Sequence, residues 1–280
     1  MKQENKTMSD RLISHYTQSE LHRQIMDGLA TVTNGKRNPT IDDLAPVDEF
    51  HIGGRQATQH LFEQIDIKSS DTVLDIGSGI GGTARYVANT FGSNVTGIDL
   101  TPEFSEISTS LTNLVGLTEN VSAIVGSALD LPFENESFDH AYMVHVGMNI
   151  QDKARLTAEA YRVVKPGGSF AVYDVMSNSE TASLEFPVPW ASVSDDSFLA
   201  APTEVESHLE NAGFSIESKT NRTEFAVDFF KALAANAASG PPPIGLHLIL
   251  GNDAKTKIGN MVSNINNGLC GPWEIIARKG

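Results

Sequence analysis

Three glycines, Gly77, Gly79 and Gly82, stand in the spacing G-x-G-x-x-G between an apolar run, VLDI, and a stretch that reads as a helix from Gly82 to Thr90. Without Cβ atoms, the backbone of such a strand-to-helix turn can bring N–H groups close to a ligand at a helix N-terminus. Seventeen residues beyond Gly82, Asp99 ends the next apolar run, VTGIDL, and its carboxylate suits two ribose hydroxyls. A nicotinamide dinucleotide, a flavin or another adenosine-bearing cofactor would all fit these features. Asp75 discriminates among them. A carboxylate two positions before the first glycine would repel a pyrophosphate, and it suits a ligand with positive charge near the loop, such as an α-ammonium group.

The elements that must hold these residues follow from the hydrophobic pattern. From Thr72 onward, strand-like runs (VLDIGSG, VTGIDL, VSAIVGSA, FDHAYMVHV, SFAVYDVM) alternate with helix-like ones (PEFSEISTSLTNLVGL, DKARLTAEAYRVV), which implies βαβ units and a buried parallel sheet. The first seventy residues lean helical, with Leu12, Ile13, Tyr16, Leu21, Ile25 and Leu29 spaced as one face, a turn-rich stretch (NGKRNPTIDDLAP), and a helix over about 55–64. Beyond Met176 the alternation loosens into a loop (SLEFPVPWASVSDDSF), a helix over 202–212 capped by Gly213, and a strand, FSIESKT. Helices over 224–239 and 253–266 follow, then a closing strand, WEIIARK; the patch AANAASGPPP at 234–243 reads as a helix end and a stiff turn.

Composition excludes several classes of function. The 280 residues carry 35 Asp plus Glu against 20 Lys plus Arg, a formal charge of −15, so neither a nucleic-acid backbone nor an anionic membrane is an expected partner. The single cysteine, Cys270, excludes an internal disulfide framework, and the eight histidines show no H-E-x-x-H spacing, so no metal is expected. MKQENKTMSDRL has no apolar h-region and no window approaches eighteen uninterrupted apolar residues; the expected location is the cytoplasm. Neither a G-x-S-x-G elbow nor a GxxxxGK[ST] loop is present.

VLDIGSGIGG, VTGIDLTPEF, VGSALDLPFENESFDHAYMVHV and EAYRVVKPGGSFAVYDV, in this order over about residues 70–176, resemble the successive motifs of class I S-adenosylmethionine-dependent methyltransferases. The resemblance implies a doubly wound, Rossmann-like, mostly parallel seven-stranded α/β sheet. It also implies an N-terminal helical lid (1–70), a cofactor-binding core (71–223) with a substrate-loop insertion (177–200), and a helical cap with a final strand (224–280). By the same resemblance, Gly77 and Gly79 flank the methionine part of the cofactor and Asp99 holds the ribose. Leu100, Ala128 and Leu129 would lie at the adenine. Many relatives carry Asp where Ser127 stands, so its hydroxyl would receive the adenine amino group more weakly. KPGG at 165–168 is read as a turn between helix and strand.

Methyl transfer from a sulfonium chiefly requires alignment, exclusion of water and, for a protonated nucleophile, removal of a proton. His145, at the end of the fourth strand, is the candidate base or orienting group and also faces the cofactor's methionine portion. Met148 and Asn149 would complete the wall beside it. His51, in DEFHIGG, lies in a segment resembling the loop that closes over the cofactor. Tyr16 reads as a packing residue of the N-terminal helix or, as the resemblance implies from relatives whose lid helix carries a tyrosine, as a lid contact; Trp190 in PVPWA could hold a cation on its ring face, and His247 would project from the late cap. The expected reaction is methylation of a small molecule, an amine first, similar to sarcosine/dimethylglycine methyltransferases, with S-adenosylhomocysteine as product and a homodimer allowed. O- or S-methylation, a dinucleotide-dependent oxidoreductase and a non-catalytic cofactor-binding module are the alternatives. Between Arg85 and Lys153 there are nine carboxylates and no Lys or Arg, which favours neutral or cationic acceptors.

Overall fold

A computed structural model describes residues 7–17, 20–178, 183–236 and 242–280. Parts of three expected features, the extreme N-terminus (1–6), the substrate loop (179–182) and the AANAASGPPP patch (237–241), lie outside the described residues.

Strand β1 (Thr72–Ile76) is buried on both faces from Val73 to Ile76, as expected of a central parallel strand. It pairs on one side with β2 (Asn94–Asp99) and on the other with β4 (Phe138–Val144), both in parallel. With β3 (Val121–Val125), β5 (Val164–Ser177), β6 (Phe214–Asn221) and β7 (Cys270–Lys279), the sheet order is β3-β2-β1-β4-β5-β7-β6. Only β7 is antiparallel to its neighbours. The chain winds outward in opposite directions from β1 and β4. The connections leaving their C-terminal ends therefore diverge, and the crevice between those connections is where such sheets bind ligands.

Alternate residues along β1 face two separate cores. Leu74 and Ile76 join Leu156, Ala160 and Leu209 from α7 (Lys153–Val163) and α8 (Pro202–Ala212), while Val73 joins Leu61 and Phe62 from α4 (Gly54–Phe62) and Val87 from α5 (Gly82–Phe91). The N-terminal segment forms separate helices, α1 (Met8–Tyr16) and α2 (Leu21–Thr33). Leu21, Ile25 and Leu29 bury one stripe of α2 against Phe104, Ile107 and Leu111 of α6 (Pro102–Leu114).

Two local expectations are corrected. The stretch read as turn-rich contains α3 (Ile41–Asp48), started by a capping box in which Thr40 and Asp43 satisfy each other's backbone N–H groups. KPGG is an irregularity inside β5: Phe138 pairs with Val164 but His140 with Ser169, so the extra residues bulge, with Gly167 at φ +79°. The late helices are α9 (Thr223–Asn236), the short α10 (His247–Leu250) and α11 (Ala254–Asn266), so the described part of the first stops at 236.

Candidate functional site

A cavity of about 300 Å³ opens at the C-terminal ends of β1, β2 and β4. The three glycines of the motif do three different physical jobs there. Gly77 has φ +75° and sits against Val146, whose Cγ1 would be 2.6 Å from an added Cβ. Gly79 has φ +52° and open space where its Cβ would be, so its backbone is bare to the cavity. Gly82 packs directly on Asp48 at the end of α3: an added Cβ would lie 2.5 Å from that residue's Cβ.

Asp99 spans two backbone donors, the N–H of Gly79 (2.8 Å) and that of Thr101 (2.8 Å). These bonds fix the carboxylate at the rim, and they oppose the upward pKa shift that burial imposes on it. Asp75 is 2% exposed, and among the described residues its Oδ2 has no hydrogen-bond partner. Burial pushes its pKa up to about 8; Asp99 adds to the shift, and Tyr142, across the β1–β4 pairing, opposes it without meeting hydrogen-bond geometry. An under-satisfied buried carboxylate in a cavity wall is a receptor for a hydrogen-bond donor, best of all a cationic one.

Beneath the loop, Asp48 and Arg85 form a buried ion pair at 2.5 Å, and Arg85 also donates to the Ile80 carbonyl at 2.9 Å. Burial lifts Asp48 to about 6, against the pull of Arg85. The pair clamps α3 to the helix that follows the glycine loop. Across the cavity, Tyr16 of α1 donates its hydroxyl to Asn149 Oδ1 at 3.2 Å, and Asn149 donates in turn to the Trp190 carbonyl at 2.8 Å. His145 has φ +55° and is half-buried, and among the described residues its buried Nε2 has no partner; desolvation keeps it well below the ordinary histidine pKa, hence neutral.

Of the residues singled out from the sequence, Tyr16, His51, Asp75, Gly77, Gly79, Asp99, Leu100, Ser127, Ala128, Leu129, His145 and Asn149 all line this one cavity. Ser127 Oγ accepts one hydrogen bond, from the Leu129 N–H at 3.1 Å, which leaves its second lone pair for another donor. Three expected wall residues are placed elsewhere. Met148 and Trp190 are buried in the cluster beneath the cap with Val188, Phe230 and Met261, because aromatic and thioether side chains gain more by packing than by facing an open mouth. The Trp190 indole N–H is already committed to Ser197 Oγ at 2.9 Å. His247 stays outside the cavity lining while Ile249, one half-turn later on α10, reaches it. Asp48, Phe50, Ile80, Thr83 and Phe104 also line the cavity and were missed from the sequence. The T-x-x-D signal at Thr40 could have revealed α3, and with it Asp48.

A doubly wound sheet with an antiparallel seventh strand, a bare glycine loop and carboxylates ending its first two strands is the architecture that the sequence resemblance implied. Residues 74–172 accordingly match the sequence family described as a methyltransferase domain. The glycine/sarcosine/dimethylglycine N-methyltransferase of Actinopolyspora halophila is 29% identical over 140 residues, 50% of this chain and 25% of that protein. The chloroplastic tocopherol O-methyltransferase of Arabidopsis thaliana is 35% identical over 123 residues, 44% of this chain and 35% of that protein. Among solved structures, geranyl diphosphate C-methyltransferase from Streptomyces coelicolor A3(2), in complex with Mg2+, geranyl-S-thiolodiphosphate and S-adenosyl-L-homocysteine, superposes with a TM-score of 0.72. It is 15% identical, and the match covers 99% of each chain. The chain spans half or less of the length of the curated relatives it matches.

Proposed function

We propose that this protein transfers the methyl group of S-adenosylmethionine to a small-molecule acceptor by in-line displacement. The observation that carries the reading is Asp75: a buried carboxylate with an unpartnered oxygen, beside a glycine whose backbone is bare to the same cavity. An α-ammonium group supplies what that carboxylate lacks, and a pyrophosphate would be repelled by it. In this reading Asp99 holds the ribose, Leu100, Ala128 and Leu129 flank the adenine, and Ser127 accepts from its amino group. When bound, the cofactor supplies an activated methyl group on a sulfonium. The protein aligns the acceptor and excludes water, with α1 as lid through Leu12 and Tyr16 and the late helices as cap through Ile249.

The acceptor reading favoured is a neutral or cationic small molecule, an amine first. Asp48, Asp75, Asp99 and Asp152 line the cavity and, among the described residues, no Lys or Arg does. A lining without a cation disfavours phosphorylated acceptors and tolerates amines, phenols and thiols. The test is calorimetric titration with S-adenosylhomocysteine, followed by detection of that product from S-adenosylmethionine with amines, phenols and thiols. Micromolar binding and turnover with an amine are expected. Stabilisation by NAD in place of S-adenosylhomocysteine would refute the cofactor assignment, and turnover with phenols or thiols alone would refute the amine.

A further inference from the structure

His145 was the histidine singled out as a base, but the structure gives the other cavity histidine the machinery for that task. We infer that His51 is the proton acceptor of the site, held by Glu49, Thr58 and Gly54 so that Nε2 carries hydrogen and Nδ1 presents its lone pair to the acceptor. The inference rests on the methyltransferase reading.

The tautomer follows from counting hydrogens. Nε2 of His51 has three neighbours: the Gly54 carbonyl at 3.2 Å, Thr58 Oγ1 at 3.0 Å and Glu49 Oε2 at 3.4 Å. The single hydroxyl hydrogen of Thr58 is directed to Glu49 Oε2 at 2.6 Å, so Oγ1 can only accept from the ring. Three acceptors around one ring nitrogen require an N–H there, which leaves Nδ1 unprotonated in the neutral imidazole. Among the described residues nothing partners Nδ1, and His51 is part of the cavity lining. Its own pKa lies below the ordinary histidine value because of burial, with Glu49 opposing, so the ring is a free base at neutral pH.

The surroundings are those of a supported base. Glu49 is buried and is itself tied to Arg55, whose guanidinium stacks over the Tyr86 ring at 4.8 Å. The His51 ring meets His145 at 5.9 Å and Tyr173 at 6.0 Å between centroids, so the charged and titratable groups facing it are Glu49, Arg55, His145 and Tyr173. Among the described residues no such carboxylate faces His145 and nothing partners its Nε2, so an imidazolium there would be stranded.

The step balances. The acceptor's lone pair forms a bond to the methyl carbon as the carbon–sulfur pair returns to sulfur, and the acceptor's proton passes to His51 Nδ1. One positive charge leaves the sulfonium and one appears on the imidazole, facing Glu49. The acceptor must therefore bear a hydrogen on its nucleophilic atom, which selects primary or secondary amines, phenols, alcohols or thiols and excludes tertiary amines and thioethers.

Long-range 1H–15N correlation of 15N-histidine-labelled full-length protein at pH 7.5, with and without S-adenosylhomocysteine, reads the tautomer directly, the His51 signals being assigned from His51→Gln. A neutral Nε2–H ring is expected, and Glu49→Gln moves its pKa downward. A neutral Nδ1–H ring or an imidazolium would overturn the inference. With the best acceptor of the panel, His51→Gln is expected to lose at least 100-fold in kcat while S-adenosylhomocysteine affinity changes less than about threefold. Glu49→Gln is expected to lower kcat less and shift the acid limb of kcat/KM to lower pH, with Glu49→Asp restoring part of both. Equal turnover by His51→Gln, or a loss mirrored in cofactor-product affinity, assigns His51 a structural role and overturns the proton-transfer step. Wild-type protein that fails to bind S-adenosylhomocysteine refutes the methyltransferase reading instead, and the tautomer still decides the state of the ring. With no turnover on the panel, the tautomer and the Glu49→Gln shift alone decide.

Discussion

Alanine at Gly79 and alanine at Gly82 should separate two functions that the glycine motif combines. At Gly79 the added methyl meets no atom within 4 Å, so the free protein suffers only the left-handed backbone at φ +52°, about 1–2 kcal/mol. At Gly82 the methyl would lie 2.5 Å from Asp48 Cβ and 2.7 Å from its carbonyl carbon, so α3 and α5 must move apart. Overpacking of this kind costs about 1–3 kcal/mol. If the movement draws Asp48 from Arg85, the cost approaches the roughly 3–5 kcal/mol of a broken buried pair. At about 2–4 °C per kcal/mol for a domain of this size, Gly82→Ala is expected to lower Tm by roughly 2–12 °C, more if the buried pair breaks, and Gly79→Ala by roughly 2–8 °C. Ligand response should be reversed. S-adenosylhomocysteine at a hundred times its Kd adds about 2.7 kcal/mol to a binding-competent fold, hence roughly 5–10 °C in a thermal melt. Gly82→Ala keeps most of that increment and Gly79→Ala loses it, because its methyl occupies the space the ligand approaches. A Gly79→Ala protein with the full increment, or a Gly82→Ala protein with wild-type Tm, would refute the division of labour.

Three further outcomes are expected. Asp75 has its pKa at about 8 against an ordinary 3.8, so its neutral form stabilises the ligand-free fold fully below about pH 4, and that contribution is lost as pH rises toward 8. Asp75→Asn removes the titration, so in scanning calorimetry its Tm relative to wild type rises between pH 5 and 8; a constant difference would contradict burial as the cause. Asp99→Ala removes the acceptor for the Gly79 and Thr101 N–H groups, and is expected to weaken S-adenosylhomocysteine at least tenfold by calorimetric titration; unchanged affinity would refute its ribose role. Trp190→Ala empties a buried site and should cost about 3–5 kcal/mol in denaturant unfolding. Trp190→Phe keeps most of the packing and should bind S-adenosylhomocysteine as wild type; a tenfold loss would place the indole in the cavity after all.

Much of the site was legible because it is local in sequence. The glycine turn, Asp75 and Asp99 sit at the ends of two strands whose apolar runs announce them, and a parallel sheet brings strand ends together at one rim. Ser127, Ala128 and Leu129 follow β3 in the same way, and His145 follows β4. The residues that escaped detection owe their role to partners far along the chain. Asp48 means little beside Glu49 in sequence, yet Arg85, 37 positions on, makes it half of a buried pair. Trp190 differs in the other direction: an aromatic in a proline-flanked loop reads as a wall of the main cavity, yet it packs with Val188, Phe230 and Met261 and lines only a smaller adjoining cavity with Leu12 and Asn149.

The sequence by itself determined the alternation that makes the sheet, the strand-end carboxylates and the glycines, since each depends on backbone sterics and periodicity within a few residues. Only the tertiary structure decided which of the two cavity histidines is oriented. His51 draws its hydrogen-bond acceptors from the loop before α4 and from α4 itself, and His145 has none, because hydrogen-bond direction is fixed by where atoms meet in space and leaves no periodic trace in the chain.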